Sequence, residues 1–306
     1  MIEPAWVLWG LLLPAALGAL TVWLCSFLER SRGEVSRWGQ ARMVLGLGVA
    51  TACGMLAITG MPPWRPMQGP NWLLAGVLPV GMVVAWLCLI SPIPRPVLHL
   101  MRFVVAMGVA PLLTYPLIPY TWTQTQAYVW WAGLGLGVWL IWWLMHRLCT
   151  AGRSRTALFV LGMTSAMLAG VTMASGYLAG GQLTATLAVV LGAGWVVMVL
   201  RRDTHCDGAL IDLVVPLLYG MLVYHWHFGW TMQHPVSTHI VGIVLGLAPA
   251  GIGILSLMAG DGRKARRRVA IGMVVSACLW LVSAGLAGYE AYARVQASSE
   301  AGYYGY

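Results

Sequence analysis

Apolar residues run along this chain in long blocks, separated by short gaps that hold nearly all of its charge. The blocks are 6–28, 43–61, 72–90, 101–119, 128–146, 157–178, 183–200, 209–228, 237–259 and 269–289. Each is close to the roughly 20 residues that a helix needs to cross the hydrocarbon core of a bilayer. The pattern predicts an all-α, polytopic integral membrane bundle of about ten transmembrane helices.

The gaps alternate in charge. One set holds Arg30, Arg32, Arg37 and Arg42; Arg95 and Arg102; Arg147, Arg153 and Arg155; Arg201 and Arg202; Arg263, Lys264, Arg266, Arg267 and Arg268. Of the 18 Lys and Arg residues, only Arg65 and Arg294 fall in the other set. Short cytoplasmic loops retain Lys and Arg while translocated loops exclude them. The expected topology therefore has both the N-terminus and the C-terminus outside. Residues 1–294 form one transmembrane bundle, and 295–306 a short polar external tail.

Composition agrees. The chain is 59% hydrophobic and 9% charged, with a mean hydropathy of +0.77, whereas soluble domains carry about a quarter charged residues. The net charge of +9 lies in the cytoplasmic turns, where it meets anionic headgroups. Membrane lipids are thus expected partners, other membrane subunits a second class, and nucleic acid is not expected. The first block is long, starts near Glu3 and is followed, not preceded, by its basic cluster, so it is read as a retained helix and not a cleaved signal. The expected location is a bacterial-type cytoplasmic (inner) membrane. The six cysteines fall in spans or on the cytoplasmic side, with no Cys-x-x-Cys. They are read as small packing residues.

Prolines and glycines mark irregularities. Pro111, Pro116 and Pro119 fall in or near the outer half of helix four, and Pro216 interrupts helix eight. Each removes a backbone donor. Pro111-Leu-Leu precedes Tyr120 and Trp122 as Pro216-Leu-Leu precedes Tyr224 and Trp226. Helices two to five and six to nine could be a parallel repeat with broken helices flanking a binding site, or the match is chance between Leu-rich helices. Gly133, Gly135 and Gly137 thin helix five, and Gly242 and Gly246 make a small-xxx-small pair in helix nine. The very short 179–182 connection predicts that helices six and seven form a hairpin.

Ionisable residues within the blocks are few. Asp212 is the one acid inside a span, and Asp212, Pro216, Tyr219, Val223 and His227 follow helical spacing. An ionisable group in a membrane helix suggests a substrate or proton path. An acid one turn into a helix also favours the positive dipole end, which is the purely structural account. Near the outer interface stand Tyr115 and Tyr120, and the run Tyr224-His225-Trp226-His227-Phe228-Gly229-Trp230, followed by His234 and His239. An aromatic belt accounts for the Trp and Tyr residues. An aromatic-lined mouth is the functional alternative.

No cofactor is predicted. A metal would have to use His225, His227, His234 and His239, whose spacing matches no standard zinc pattern. A haem would need facing histidines at one depth, such as His99 and His146. There are no paired carboxylates, no Ser-His-Asp set and no phosphate loop, so no catalytic residue is assigned. The layout is similar to that of small drug/metabolite carriers, but their termini are cytoplasmic, opposite to the arrangement the arginines give here, so no family is assigned. The sequence favours a small carrier or permease of unknown substrate, proton-linked through the Asp212/Tyr219/His227 face, with Tyr115, Tyr120, Tyr224, His225, Trp226 and Trp230 as further path or binding residues. An accessory or anchoring subunit of a larger membrane complex is the first alternative. An enzyme acting on lipid or quinone at the outer His/Trp cluster is the second. A carrier is expected to show a polar cavity between helices four and eight.

Overall fold

A computed structural model describes residues 7–32, 37–61, 69–90, 93–115, 123–174, 177–201, 208–225, 246–251, 254, 267, 270–272, 274–283, 285–286 and 289. Among these residues the regular structure is all helical, with no strand. A π-helical turn at Val7–Leu12 leads into α1 (Leu13–Arg32), followed by α2 (Arg37–Thr59). A short helical turn at Gly69–Trp72 and a π-helical stretch at Leu73–Val77 lead into α3 (Leu78–Ile90). Then come α4 (Arg95–Thr114), α5 (Gln124–Thr150), α6 (Ser154–Ala174), α7 (Leu178–Leu200) and α8 (Gly208–Tyr224).

These helices fall on the first eight predicted blocks. Six are long and apolar enough to cross a membrane. The stretches Leu73–Leu89, Gly208–Tyr224 and Ala270–Ser283 are shorter apolar helices. The ninth block, 237–259, is described only at 246–251 and 254, so the last helix of the proposed repeat of helices two to five and six to nine lies largely outside the described residues.

Backbone chemistry explains where the helices turn. Thr123 accepts from the Gln126 amide while Gln126 Oε1 accepts from the Thr123 amide, a capping box that starts α5. At 27 residues, α5 is about 40 Å long at 1.5 Å per residue, and it outruns the predicted 128–146 at both ends. It stops where Gly152 takes φ +72°, a conformation that suits glycine. The Gly152 amide bonds back to the Cys149 carbonyl and the Arg153 amide to the Leu148 carbonyl. Helix α6 starts at once, at Ser154. Helices α6 and α7 pack along each other as a hairpin, but α7 already begins at Leu178, so 179–182 are helical and not the connection. Gly180 and Gly181 belong to the first turn of α7, where a Cβ on Gly181 would meet the Met173 side chain and the Ala169 carbonyl. The predicted turn glycines serve close packing instead.

Helix α8 forms the axis of the bundle. Every residue from Gly208 to Tyr224 is buried, as expected of a helix that is apolar on all sides and enclosed by others. It packs against α2, α3, α4, α5, α6 and α7. Its polar residue Asp212 therefore has no route to lipid.

Two proline sites are matched by glycines on neighbouring helices. Pro216 lacks the N–H that would bond to the Asp212 carbonyl. Gly81 of α3 lies against this point, where a Cβ would sit 3.3 Å from the Leu213 backbone and 3.4 Å from the Asp212 carbonyl oxygen. Pro111 likewise lies within α4, one turn after Met107, and Gly135 of α5 closes on that turn: a Cβ there would be 3.0 Å from Met107 Cα. The absence of a side chain lets α3 approach α8 and α5 approach α4 where each proline-bearing helix is missing a hydrogen bond. Of the three glycines read as thinning helix five, only Gly135 makes such a contact. Gly133 and Gly137 face open space.

A buried ion pair as the candidate functional site

Asp212 sits one turn into α8, on the side facing α3, α4 and α5. Arg102 reaches it from the second turn of α4. Its Nε donates to Oδ1 at 2.8 Å and its Nη2 to Oδ2 at 2.8 Å, a side-on bidentate pair. The two side chains are 2% and 0% exposed. Trp142 of α5 donates its indole N–H to the same Oδ1 at 2.6 Å. Cys88 of α3 donates to Oδ2 at 3.0 Å. Each carboxylate oxygen thus accepts two donors, and four helices contribute one residue each.

Such complete satisfaction has a physical reason. An ion transferred to a low-dielectric interior loses several kcal/mol of hydration even after relaxation. A bidentate guanidinium recovers much of that loss, and further donors on the remaining lone pairs recover more.

A second layer surrounds Arg102. His146 of α5 places Nδ1 3.3 Å from Arg102 Nη2, and its ring meets His99 of α4 edge-on, with centroids 6.4 Å apart. Both histidines are half-buried, so they connect the buried pair with the arginine-rich end of the bundle. Gly208 opens α8 directly against His146: a Cβ on it would collide with the imidazole. Arg102 Nη1 is buried and has no hydrogen-bond partner among the described residues.

The other polar set lies toward the far end of α8. His225 is buried, and its Nε2 is 2.8 Å from Thr184 Oγ1. The Tyr177 and Tyr224 hydroxyls are 3.0 Å apart, and the rings of Tyr177, Tyr224 and His225 lie within 5.6–6.0 Å of one another. Gly180 makes room, since a Cβ there would strike both Tyr177 and His225. Tyr177 immediately precedes α7. Burial pushes its phenol above the ordinary value, while the hydrogen bond to Tyr224 acts the other way.

The sequence-derived residues therefore divide. Asp212 and Tyr219 are both buried on α8, but they have different partners: Tyr219 donates its hydroxyl to the Gly246 carbonyl at 2.7 Å. Tyr224 and His225 come together with Tyr177. Tyr115 is 67% exposed and joins neither group. Tyr120, Trp226, His227, Trp230, His234 and His239 lie outside the described residues. The cavity beside α8 is apolar and lies toward α5, where a polar one facing helix four was expected. It holds about 270 Å³ and is lined by Trp130, Gly133, Gly137, Tyr219 and Gly246 among others.

Among the described residues no group of three His, Cys, Asp or Glu side chains could hold a metal. His99 and His146 do lie side by side, but the Arg102 guanidinium beside His146 Nδ1 opposes a cation there.

Four members of the ion-pair cluster escape sequence reading. Arg102 counts as a loop arginine by the charge pattern, although the block that begins at 101 already contains it. Trp142 reads as interfacial aromatic and Cys88 as packing. His146 enters only as a haem candidate. Trp142 and His146 stand at i and i+4, on one face of α5, and that spacing was the available signal. No protein-family model matches the chain, and no curated protein matches it.

Proposed function

We propose that the protein is a small carrier of the bacterial-type cytoplasmic membrane, built as one bundle of about ten helices with both termini outside. Its moving charge is the Arg102–Asp212 pair. The observation that carries this reading is a fully desolvated ion pair clamped between helices that proline has weakened. Apolar residues of similar volume would hold four helices together at least as well, because a buried ion pair is often no more stable than its apolar replacement. Ionisable groups kept inside a membrane mark ion and proton paths. The pair bridges α4 and α8, which carry Pro111 and Pro216. Broken helices of this kind flank binding sites in carriers. With the arginine-rich gaps in the cytoplasm, the cluster lies at the inner ends of α3, α4, α5 and α8. Transport then requires α4 and α8 to part there, breaking the pair, and protonation of the site lowers the cost of parting.

The test is charge movement. Purified protein in proteoliposomes on a solid-supported membrane should give a transient current when external pH is lowered. Asp212→Asn should insert normally and abolish the current. No current from the wild-type protein, or an equal one from Asp212→Asn, rejects the carrier reading.

The apolar cleft supports a second reading, the accessory subunit. Gly133, Gly137 and Gly246 face this cleft, and small residues admit the close approach of a partner helix. Gly137→Leu should then release a subunit that co-purifies from native membranes and leave any pH-driven current intact.

A further inference from the structure

Building on the carrier reading, we propose that Arg102 binds the transported solute itself, and that this solute is a small carboxylate taken up together with one proton. A guanidinium presents five N–H donors, and two of its edges match a carboxylate. Asp212 occupies the side edge, through Nε and Nη2. The end edge, formed by Nη1 and the second hydrogen of Nη2, faces no carboxylate: Nη1 is buried and has no partner among the described residues, and the second hydrogen of Nη2 has only the His146 ring nitrogen, at 3.3 Å. Both oxygens of Asp212 already accept two donors. What the cluster leaves unused is donor capacity, and that capacity has the planar, two-pronged geometry of a second carboxylate.

Charge decides the rest. Arg102 and Asp212 together are neutral. A carboxylate added alone would leave one net negative charge between apolar walls, a costly state. One proton restores neutrality, and His146 is the group placed to hold it: Arg102 opposes a positive charge on that ring until the carboxylate of the solute offsets it. Bound, the site then has Arg102 and His146 positive, and Asp212 and the solute negative. Half-buried His99, against His146, gives that proton its way in from the arginine-rich end. The titratable side chains around the pair are Cys88 on α3, His99 on α4, and His146 and Arg147 on α5. Of the other helices packed on α8, α7 has no titratable residue, α6 has Arg155, and the described side chains of α2 add Arg42, which is exposed, and Cys53. No second acid among the described side chains pairs with the end edge.

The experiment titrates purified full-length protein in detergent with L-lactate and with succinate, using chloride at equal ionic strength as reference. Binding heat and melting temperature are followed from mildly acidic to mildly alkaline pH. A carboxylate should bind and raise the melting temperature where chloride does not. Uptake of one proton should weaken the affinity about tenfold per pH unit on the alkaline side. Removing Arg102 alone would strand Asp212, so the binding variant is the neutral pair Arg102→Gln/Asp212→Asn, which should fold and lose carboxylate binding. His146→Gln should still bind and lose the pH slope. Failure of both carboxylates to bind, an equal effect of chloride, a pH-independent wild type, or retained binding in the neutral pair overturns the proposal. Binding without pH-driven current sinks the carrier reading and leaves the carboxylate site standing. A current that Asp212→Asn abolishes, with no carboxylate bound, does the reverse.

Discussion

Arg102 and Asp212, 110 residues apart in sequence, meet side-on, with Nε on Oδ1 and Nη2 on Oδ2 both at 2.8 Å. Neither charge has another described counter-ion, so the loss of one strands the other. Arg102→Gln alone should destabilise the protein by about 3–5 kcal/mol, the usual cost of breaking a buried pair from one side. Arg102→Gln/Asp212→Asn should recover most of that loss. Unfolding in a graded denaturing detergent would measure both. A double variant less stable than Arg102→Gln would show that the pair is not a closed unit.

Trp142 shares Oδ1 with Arg102, and its indole N–H makes the shortest of the four bonds to the carboxylate. Trp142→Phe keeps an aromatic ring in a fully buried place and removes only that donor. A hydrogen bond to a charged group is worth about 1.5–3 kcal/mol, and the same unfolding assay should show a loss of that size. In the Asp212→Asn background the loss should shrink, because the acceptor is no longer charged.

Gly208 and His146 are in direct contact, and a Cβ on Gly208 has no room. Gly208→Ala should push the imidazole away from Arg102 and lower the melting temperature. Gly208→Ala/His146→Ala should restore it, since the clash then disappears. A melting temperature unchanged by Gly208→Ala would mean that α8 begins farther from α5 than described.

At the other end of α8, Thr184 is the described partner of His225 Nε2. Nδ1 of that ring has none among the described residues. Thr184→Val keeps the shape and removes the hydroxyl, at a cost of about 1–3 kcal/mol for an unsatisfied buried polar group. Thr184→Ser should cost far less. Equal losses in the two variants would point to the methyl group and not to the hydrogen bond.

The proposed topology is checked by reporter fusions. Those at Gly33 and Gly262 should report a cytoplasmic location, and a fusion after Tyr306 an external one. A cytoplasmic C-terminus would mean one span fewer or more than proposed.

Much of the architecture is legible in one dimension. Hydropathy placed eight blocks where α1 to α8 lie, since the length of an apolar run and the charge of its flanks are local properties. Boundaries were less legible. They depend on caps such as Thr123 with Gln126 and on Gly152 at positive φ, and Gly180 and Gly181 look like turn residues until the chain that packs on them is known. Asp212 stood out because an acid inside an apolar run is rare. Arg102 did not, because an arginine at a helix end usually belongs to a loop.

The sequence by itself thus determined that the chain is helical and apolar enough for a membrane, and that Asp212 lies within an apolar helix. The tertiary structure alone decided which faces of those helices meet. In water, the buried side of a helix is apolar and the other side polar, so the sequence records the contact face. In hydrocarbon both sides are apolar. On α7 the exposed Val196 and Val199 are of the same kind as the buried Val190 and Leu191. Nothing in the periodicity of α3, α4 or α5 therefore says that Cys88, Arg102 and Trp142 turn toward one carboxylate. That follows from Gly81 and Gly135, where a missing side chain lets one backbone approach another, and from Gly208, which leaves room for the His146 ring, and a glycine's neighbour is visible only in three dimensions.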